Sequence, residues 1–314
     1  MLKSRRHTIH RDHHHVVWDN GLPPVLTVAP GDVVEFRTNE ASNGQITPHS
    51  SAEATTRFDF GNVNPVTGPV HVDGAKPGDA LKITVLSLEP CGWGWSANIP
   101  GFGLLAEDFP DPYIHHWHYD PALKGPELYG ANARVPFKPL IGAIGLALAE
   151  PGAHDILPPR RVGGTMDIRD IGVGATLYLP VEVRGALLSV GDTHAAQGDG
   201  EVCGTGVESA IDATLRIELI EDQPLAAPRF TTSGPVTRHL DARGYEVTTG
   251  IGPDLMQGAK DAVRRMVDIL TAAHGLSPVE AYILCSVSAD LRISEIVDEP
   301  NWIVSLYFPR VVFD

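Results

Sequence analysis

The sequence predicts a mainly β chain with an α/β portion, an α+β arrangement. Its body is expected to be a β-sandwich or barrel-like core of many short strands, with two helices near the C-terminus. Three observations carry this. Glycine and proline number 32 and 26 in 314 residues, so turns come often. Apolar runs are short and frequently alternate, the period of a half-buried strand. Helical periodicity is confined to residues beyond 250.

Taken in order, residues 25–28 and 33–37 flank the turn APGD at 29–32, and KPGD at 76–79 precedes the alternating run ALKITVL at 80–86. The returning PGD reads as repeated turn chemistry and not as a true repeat. His13, His14 and His15 are consecutive and so cannot all face one way; a solvated arm is favoured over a metal site. Residues 39–49 form a polar loop in which Gln45 could hydrogen-bond an amide. Residues 91–105 (CGWGWSANIPGFGLL) place Trp93, Trp95 and Phe102 among glycines, either as a mobile aromatic lid or as anchors that pack a long loop. His116 and His118 alternate, which suits ligation or a surface hairpin equally. PLIGAIGLALA at 139–149 reads as fully buried and leads to GGTMD at 163–167, where Asp167 either enters a site or caps backbone.

Residues 252–274 give the best helix, with apolar Leu255, Met256, Ala259, Ala262, Val263, Met266, Ile269 and Leu270 at three- and four-residue spacing. Pro253 suits its first turn and Gly275 its stop. A second helix is expected from Ser277, with a Ser277/Glu280 capping box. Residues 302–308 (WIVSLYF) read as a strand beneath both. The division expected is a β-rich body at 1–225 and an α/β portion at 226–314, which can also form one integrated domain.

Apolar residues make up 43% and charged residues 20%, with a formal net charge of −15. That composition suits a soluble globular protein and argues against nucleic acid or an anionic membrane as partner. Three scattered cysteines, Cys91, Cys203 and Cys285, argue against a disulfide framework or thiolate zinc, so the cytoplasm is the expected compartment. The basic N-terminal stretch, residues 1–15, lacks the apolar segment of a secretion signal. No run is long and apolar enough to span a bilayer.

The chemistry concentrates in residues 191–208, GDTHAAQGDGEVCGTGVE. Asp192, His194, Asp199, Glu201 and Glu208 share this stretch with five glycines, between strand-like runs at 185–190 and 213–220. Crowded carboxylates repel, and burying them unpaired is costly; a cation offsets both effects. Asp192 and His194 stand two apart, so on a strand both face one way. A solvated acidic turn is the bland alternative, and the histidine with flanking buried runs weighs against it.

The chain resembles the acetamidase/formamidase family from about residue 18 to 309. The motifs that carry the resemblance are NPVTGPVHVDGAKPGD, PFKPLIGAIGLALA, GGTMD, LYLPVEVRGALLSVGDTHAAQGDGEVCGTGVE and AYILCSVSADLRISEIVD. The resemblance implies a mostly β fold, homo-oligomers, and hydrolysis of a small linear amide to carboxylate and ammonia. It also implies a divalent metal, zinc before calcium, that activates water. Asp167 matches the acid of the family's GGNMD motif, Asp192, His194, Asp199, Glu201 and Glu208 match its central motif, and Gln45 matches its GGQ motif. Thr165 stands where the family has Asn, and Asn43 where it has Gly, which points to a different substrate. One assignment among several puts Asp192, His194 and Asp167 on the metal and makes Glu201 the general base and acid. Asp199 and Glu208 then orient the site, and Gln45 meets the amide. Three rivals are weighed beside it. The same site could act on a cyclic amide, urea-like compound or ester. Cys203 could be the nucleophile, although it lacks a placed base. A non-enzymatic cation-binding module is the third, disfavoured for calcium by His194.

Overall fold

Most of the alternating runs become strands, and most of the strands gather in two six-stranded sheets. The structure, a computed structural model, describes residues 4–313; the first three residues of the basic N-terminal stretch lie outside it. The first sheet runs Arg6–Ile9, Val33–Phe36, Ile211–Ile220, Ala80–Pro90, Thr176–Pro180, Arg229–Thr231. Its first pair is parallel and the others antiparallel. The second sheet runs Gly163–Thr165, Leu140–Gly145, Leu188–His194, Val66–Val72, His14–His15, with Leu26–Val28 also paired to Val66–Val72.

Phe36, Ile83 and Leu215 of the first sheet and Val70, Ile141, Ile144 and Val190 of the second share one buried cluster. Two sheets with a common apolar filling make a sandwich. Of the two core shapes expected it is the sandwich that forms; among the described residues neither sheet closes into a barrel. The PGD turns repeat their chemistry: Asp32 accepts from the Ala29 amide at 3.1 Å, and Asp79 from the Lys76 amide at 3.0 Å.

Two alternatives left open by the sequence are decided in the middle of the chain. Trp93–Asn98 pairs with Tyr113–His118 as an antiparallel hairpin, so Trp95 and Trp117 are buried anchors and not a lid. His116 Nε2 lies 2.8 Å from the Ser50 carbonyl, and His118 is exposed at the end of its strand. His15 alone of the histidine run turns inward, with Nε2 2.8 Å from Ser189 Oγ.

Helix α1 spans Leu255–His274 and α2 spans Pro278–Ser288. Asp254 is the N-cap of α1 and accepts from the Gln257 amide at 2.7 Å, so Pro253 stands ahead of the cap instead of in the first turn. Gly275 ends the helix at φ 68°, where a side chain would be strained. At α2, Glu280 Oε2 accepts from the Ser277 amide at 2.8 Å and from its hydroxyl at 2.7 Å, closing the expected box. Helix α1 packs on the antiparallel sheet Tyr245–Gly252, Trp302–Pro309, Asp290–Glu295. Met266, Leu284 and Phe308 from this region share a cluster with Leu105, Val135 and Val207.

Replacing Glu280 by Ala leaves the first turn of α2 with an open amide. The expected cost is about 1 kcal/mol, read as a lower urea midpoint with an unchanged slope.

Candidate active site

The strand Leu188–His194 lies inside the second sheet, between Leu140–Gly145 and Val66–Val72. It is buried along its whole length, so the acid and imidazole it carries are taken out of water by the fold itself. The backbone is unusual at the acids. Asp167, Asp192 and Glu201 have φ of 47°, 47° and 41°. Non-glycine residues rarely adopt this left-handed region, and each instance costs about 1–3 kcal/mol. Gly142 on the neighbouring strand makes the kink possible. A Cβ there would overlap Asp167 Oδ1 and sit 2.5 Å from the Asp192 carbonyl oxygen.

His194 is the centre. Its Nε2 lies 3.3 Å from Asp192 Oδ1 and 3.0 Å from Glu208 Oε2, and its Nδ1 lies 3.9 Å from Glu201 Oε1. Nδ1 is also 2.8 Å from Gln197 Oε1, while Gln197 Nε2 donates to the Asp167 carbonyl at 2.6 Å. An amide oxygen only accepts, so this network assigns a proton to Nδ1 and turns Nε2 toward the carboxylates. Asn64 Nδ2 donates to Asp192 Oδ2 at 2.7 Å, and the Gly206 amide to Glu208 Oε1 at 2.7 Å. Glu208 is held between two strands, bridging both His194 and Trp95.

Two buried oxygens of this cluster stay without a hydrogen bond: Asp167 Oδ1 and Glu208 Oε2. The latter stands at ion-pair distance from His194 but out of line for a hydrogen bond. Burial, then the neighbouring Asp192 charge, pushes the Asp167 carboxyl up to about 8. Burial followed by Asp167 drives Glu201 well above the carboxylate range, and burial also raises Glu208 against the pull of His194. For His194 burial works downward, but the Glu208 charge and the Asp192 contact outweigh it and hold the ring protonated.

Asp167, Asp192 and His194 form one set of potential cation ligands; His194, Glu201 and Glu208 form another, with ligand atoms in each set within 4.8 Å of one another. Oxygen and imidazole donors with two buried oxygens unpaired are a fit for a divalent cation. Five of the seven residues singled out in the sequence therefore converge.

Asp199 and Gln45 do not join them. Asp199 is 42% exposed and points to Arg169, with Oδ2 3.6 Å from Nη2, beside buried Asp290. The turn at Gly200 and Glu201 sends the two acids to opposite sides, and the guanidinium captures the first. Gln45 donates to the Asp59 and Asn62 carbonyls at 3.1 and 2.9 Å and accepts from the Asp59 amide at 2.8 Å. It pins a neighbouring segment. Cys203 is fully buried, 3.3 Å from Thr205 Oγ1, and burial pushes its thiol up to about 11. Such a thiol is a poor nucleophile.

The cluster floors a cavity of about 320 Å³ walled by Ala41, Phe58, Phe60, Val63, Trp95, Ile99, Phe102 and Leu157. Asn64 and Gln197 were not singled out from the sequence, although both lie inside the motifs quoted; the three-residue step from His194 to Gln197 was the available signal. Phe58 and Phe60 gave none, since their segment has no period. Acids and an imidazole at the floor of a half-open cavity make an enzyme-type site, able to hold a cation and move protons at a small molecule.

The family model described as "Acetamidase/Formamidase family" matches residues 2–151 and 141–314. The formamidase of Methylophilus methylotrophus is 27% identical over 369 residues, 96% of this chain and 89% of that one. The acetamidase of Mycolicibacterium smegmatis is 29% identical over 269 residues, 66% of each chain, a little under two thirds. Among solved structures, a gamma lactamase from Delftia acidovorans has a TM-score of 0.89 at 25% identity, covering 98% of this chain and 93% of that one. A predicted acetamidase/formamidase from Thermoanaerobacter tengcongensis has a TM-score of 0.69 at 31% identity, covering 98% and 96%. The chain belongs to the acetamidase/formamidase family.

The raised carboxyls fix a pH dependence for the protein stripped of cations. Between the ordinary value of 3.8 and about 8, folded Asp167 holds a proton that the unfolded chain has lost. Stability therefore falls as pH rises through that window, and raised Glu201, Glu208 and His194 act in the same direction. Chelator-treated protein should melt lower near about pH 8.5 than near about pH 6, and added Zn²⁺ should raise Tm more at the higher pH. A melting temperature indifferent to both would contradict the electrostatics described.

Proposed function

We propose that the amide hydrolysis assigned by family membership takes place on a cation held by Asp167, Asp192 and His194, with Glu201 as the proton carrier. The reaction is cleavage of the C–N bond of a small linear amide, giving carboxylate and ammonia. The observation that supports this most is the convergence of four carboxylates on one imidazole with two buried oxygens left unpaired.

The donor set of carboxylates and imidazole favours zinc; calcium rarely takes imidazole. That donor set also weighs against a purely structural calcium module. A divalent cation in this place supplies Lewis acidity, lowering the pKa of a water and polarising the amide carbonyl. The residues of the chain do the rest. Gln197 keeps His194 Nε2 turned to the site, and Asn64 fixes Asp192. Glu208 is clamped through Oε1 by the Gly206 amide and presents Oε2 inward. Glu201 keeps 15% of its side chain exposed and lines the cavity, so it can exchange protons with a bound molecule. It takes the proton of the attacking water and returns it to the departing nitrogen, and burial beside Asp167, which raises its pKa, strengthens it as a base for the first half of that cycle. Asp199 braces the loop through Arg169, and Gln45 braces residues 59–62. Cys203 takes no part.

One observation favours a second reading. The TM-score to the gamma lactamase is 0.89, against 0.69 and 0.68 for two acetamidase-type structures. On that reading the same site opens a cyclic amide, and no ammonia leaves.

Around this site we place a cytoplasmic homo-oligomer whose 1–225 body and 226–314 portion act as one unit. All three cysteines are free, exposed Ile251, Ile293 and Val297 offer apolar surface for self-association, and Val207 shares its core with Met266 and Phe308. No described helix is long and apolar enough to cross a membrane.

Glu201→Gln should retain bound metal by elemental analysis while ammonia release from acetamide falls by about 10²–10⁴-fold. Loss of metal in this variant, or full turnover, would reverse the assignment. A chelator should abolish release and Zn²⁺ restore it; ring opening of a lactam without ammonia from any linear amide would select the second reading.

A further inference from the structure

Floor and wall of the cavity differ in chemistry. Above the acids, four aromatic rings form a continuous run: Trp95 to Phe58 at 6.1 Å, Phe58 to Phe60 at 5.5 Å, and Phe60 to Phe102 at 5.4 Å. All four line the cavity. The inner end is fixed, because the Trp95 indole donates to buried Glu40 at 2.8 Å, and Glu40 is itself held by Ser42. At the outer end, Phe60 and Phe102 keep 39% and 36% of their area exposed, two large apolar rings at the mouth of a polar site. Phe102 lies across Gly204, at φ 85°, where any Cβ would strike the ring. The loop that carries Glu201 thus carries the glycine against which the outer ring rests.

Size decides what this wall is for. At roughly 30 Å³ per water, a space of about 320 Å³ takes several times the volume of a one- or two-carbon amide. Such a substrate, reacting at the floor, would leave the rings in contact with water. A substrate with an apolar ring would cover them and gain from the burial.

We propose that the substrate is a primary carboxamide whose acyl group carries an apolar ring, and that Phe60 and Phe102 are the residues that select it. This rests on the amide-hydrolase reading and narrows its substrate class. The carboxamide sits among Asp167, Asp192, His194, Glu201 and Glu208, and the ring lies along the Phe58–Phe60–Phe102 wall. Water adds to the carbonyl carbon, the C–N bond breaks, and the products are the ring carboxylate and ammonia, with no oxidant or further reactant.

The test compares kcat/KM for acetamide, cyclohexanecarboxamide and benzamide in the zinc-loaded protein and in Phe60→Ala, Phe102→Ala and Phe102→Leu. The ring amides are expected to lead acetamide by about 30-fold or more, in line with the discrimination a few apolar groups supply. Phe102→Ala should cost the ring amides about 10-fold or more, mostly in KM, leave acetamide within about 3-fold, and be partly rescued in Phe102→Leu. Binding of cyclohexanecarboxylate and acetate by calorimetry supplies the second arm. If no amide releases ammonia but the ring carboxylate binds more tightly in a Phe102-dependent way, the hydrolase reading fails and the ring pocket stands. If acetamide is the better substrate, if acetate binds as well as the ring acid, or if the variants lower both substrates equally, the proposal is overturned.

Discussion

Electrostatic repulsion among buried carboxylates is the constraint that shapes the centre of this protein. Asp167, Asp192, Glu201 and Glu208 surround a single imidazole. At an effective dielectric of about 20, two unit charges at about 4 Å differ from isolation by about 4 kcal/mol, and one protonated histidine cannot offset several such pairs. A chain that must hold these groups together needs a backbone that will not relax. The strand Leu188–His194 supplies it, paired on both sides. The left-handed conformations at Asp167, Asp192 and Glu201 fit the same logic. At Asp167 and Asp192 they are tolerated because Gly142 and the Gln197 and Asn64 hydrogen bonds over-determine the position, and at Glu201 because the turn closes through Gly198 and Gly204.

How much of this was legible in the sequence depends on the range of the interactions involved. The C-terminal helices were legible because their signals are local: the apolar stripe of α1, Gly275 and the Ser277/Glu280 pair act within a turn or two of where they stand, whereas the Asp254 cap one residue past Pro253 was missed. Asp192 and His194 were legible for a similar reason, since a two-residue step puts both side chains on one side of a strand. Asp199 and Glu201 are a different case. Both belong to the same glycine-rich phrase, and what separates them is Arg169 and Asp290, distant in the chain and adjacent in space. Sheet order was equally hidden. Nothing near residues 80–90 announces that Ile211–Ile220 and Thr176–Pro180 will flank them. The Trp93–Phe102 stretch left two outcomes open because aromatics among glycines suit a lid or an anchor. The register with Tyr113–His118 and the Trp95–Glu40 bond decided for the anchor.

Chemistry and selection come from different parts of the fold. The clustered acids and the imidazole ride on the sheet strand and the bends beside it, where position is fixed most tightly. The aromatic wall comes from a short irregular segment around 58–60 and from the hairpin region 95–102.

The α/β portion completes the site although it contributes no ligand. The Gly198 amide donates to the Ser286 carbonyl at 2.8 Å, the Cys203 amide to Ser286 Oγ at 3.1 Å, and the Leu291 amide to the Asp199 carbonyl at 2.9 Å. The loop bearing Glu201 is therefore stitched at both ends to the end of α2 and the strand that follows. A Cβ at Gly198 would run into Ala289, so loop and helix end approach as closely as backbones can. The helices, whose caps and apolar stripe stand plainly in the sequence, serve in this way as the wall against which the least obvious part of the site is set. A carboxyl group on a free loop would sample many distances from its neighbours; one on a loop held by two hydrogen bonds to Ser286 of α2 and a third to Leu291 on the strand that follows samples few.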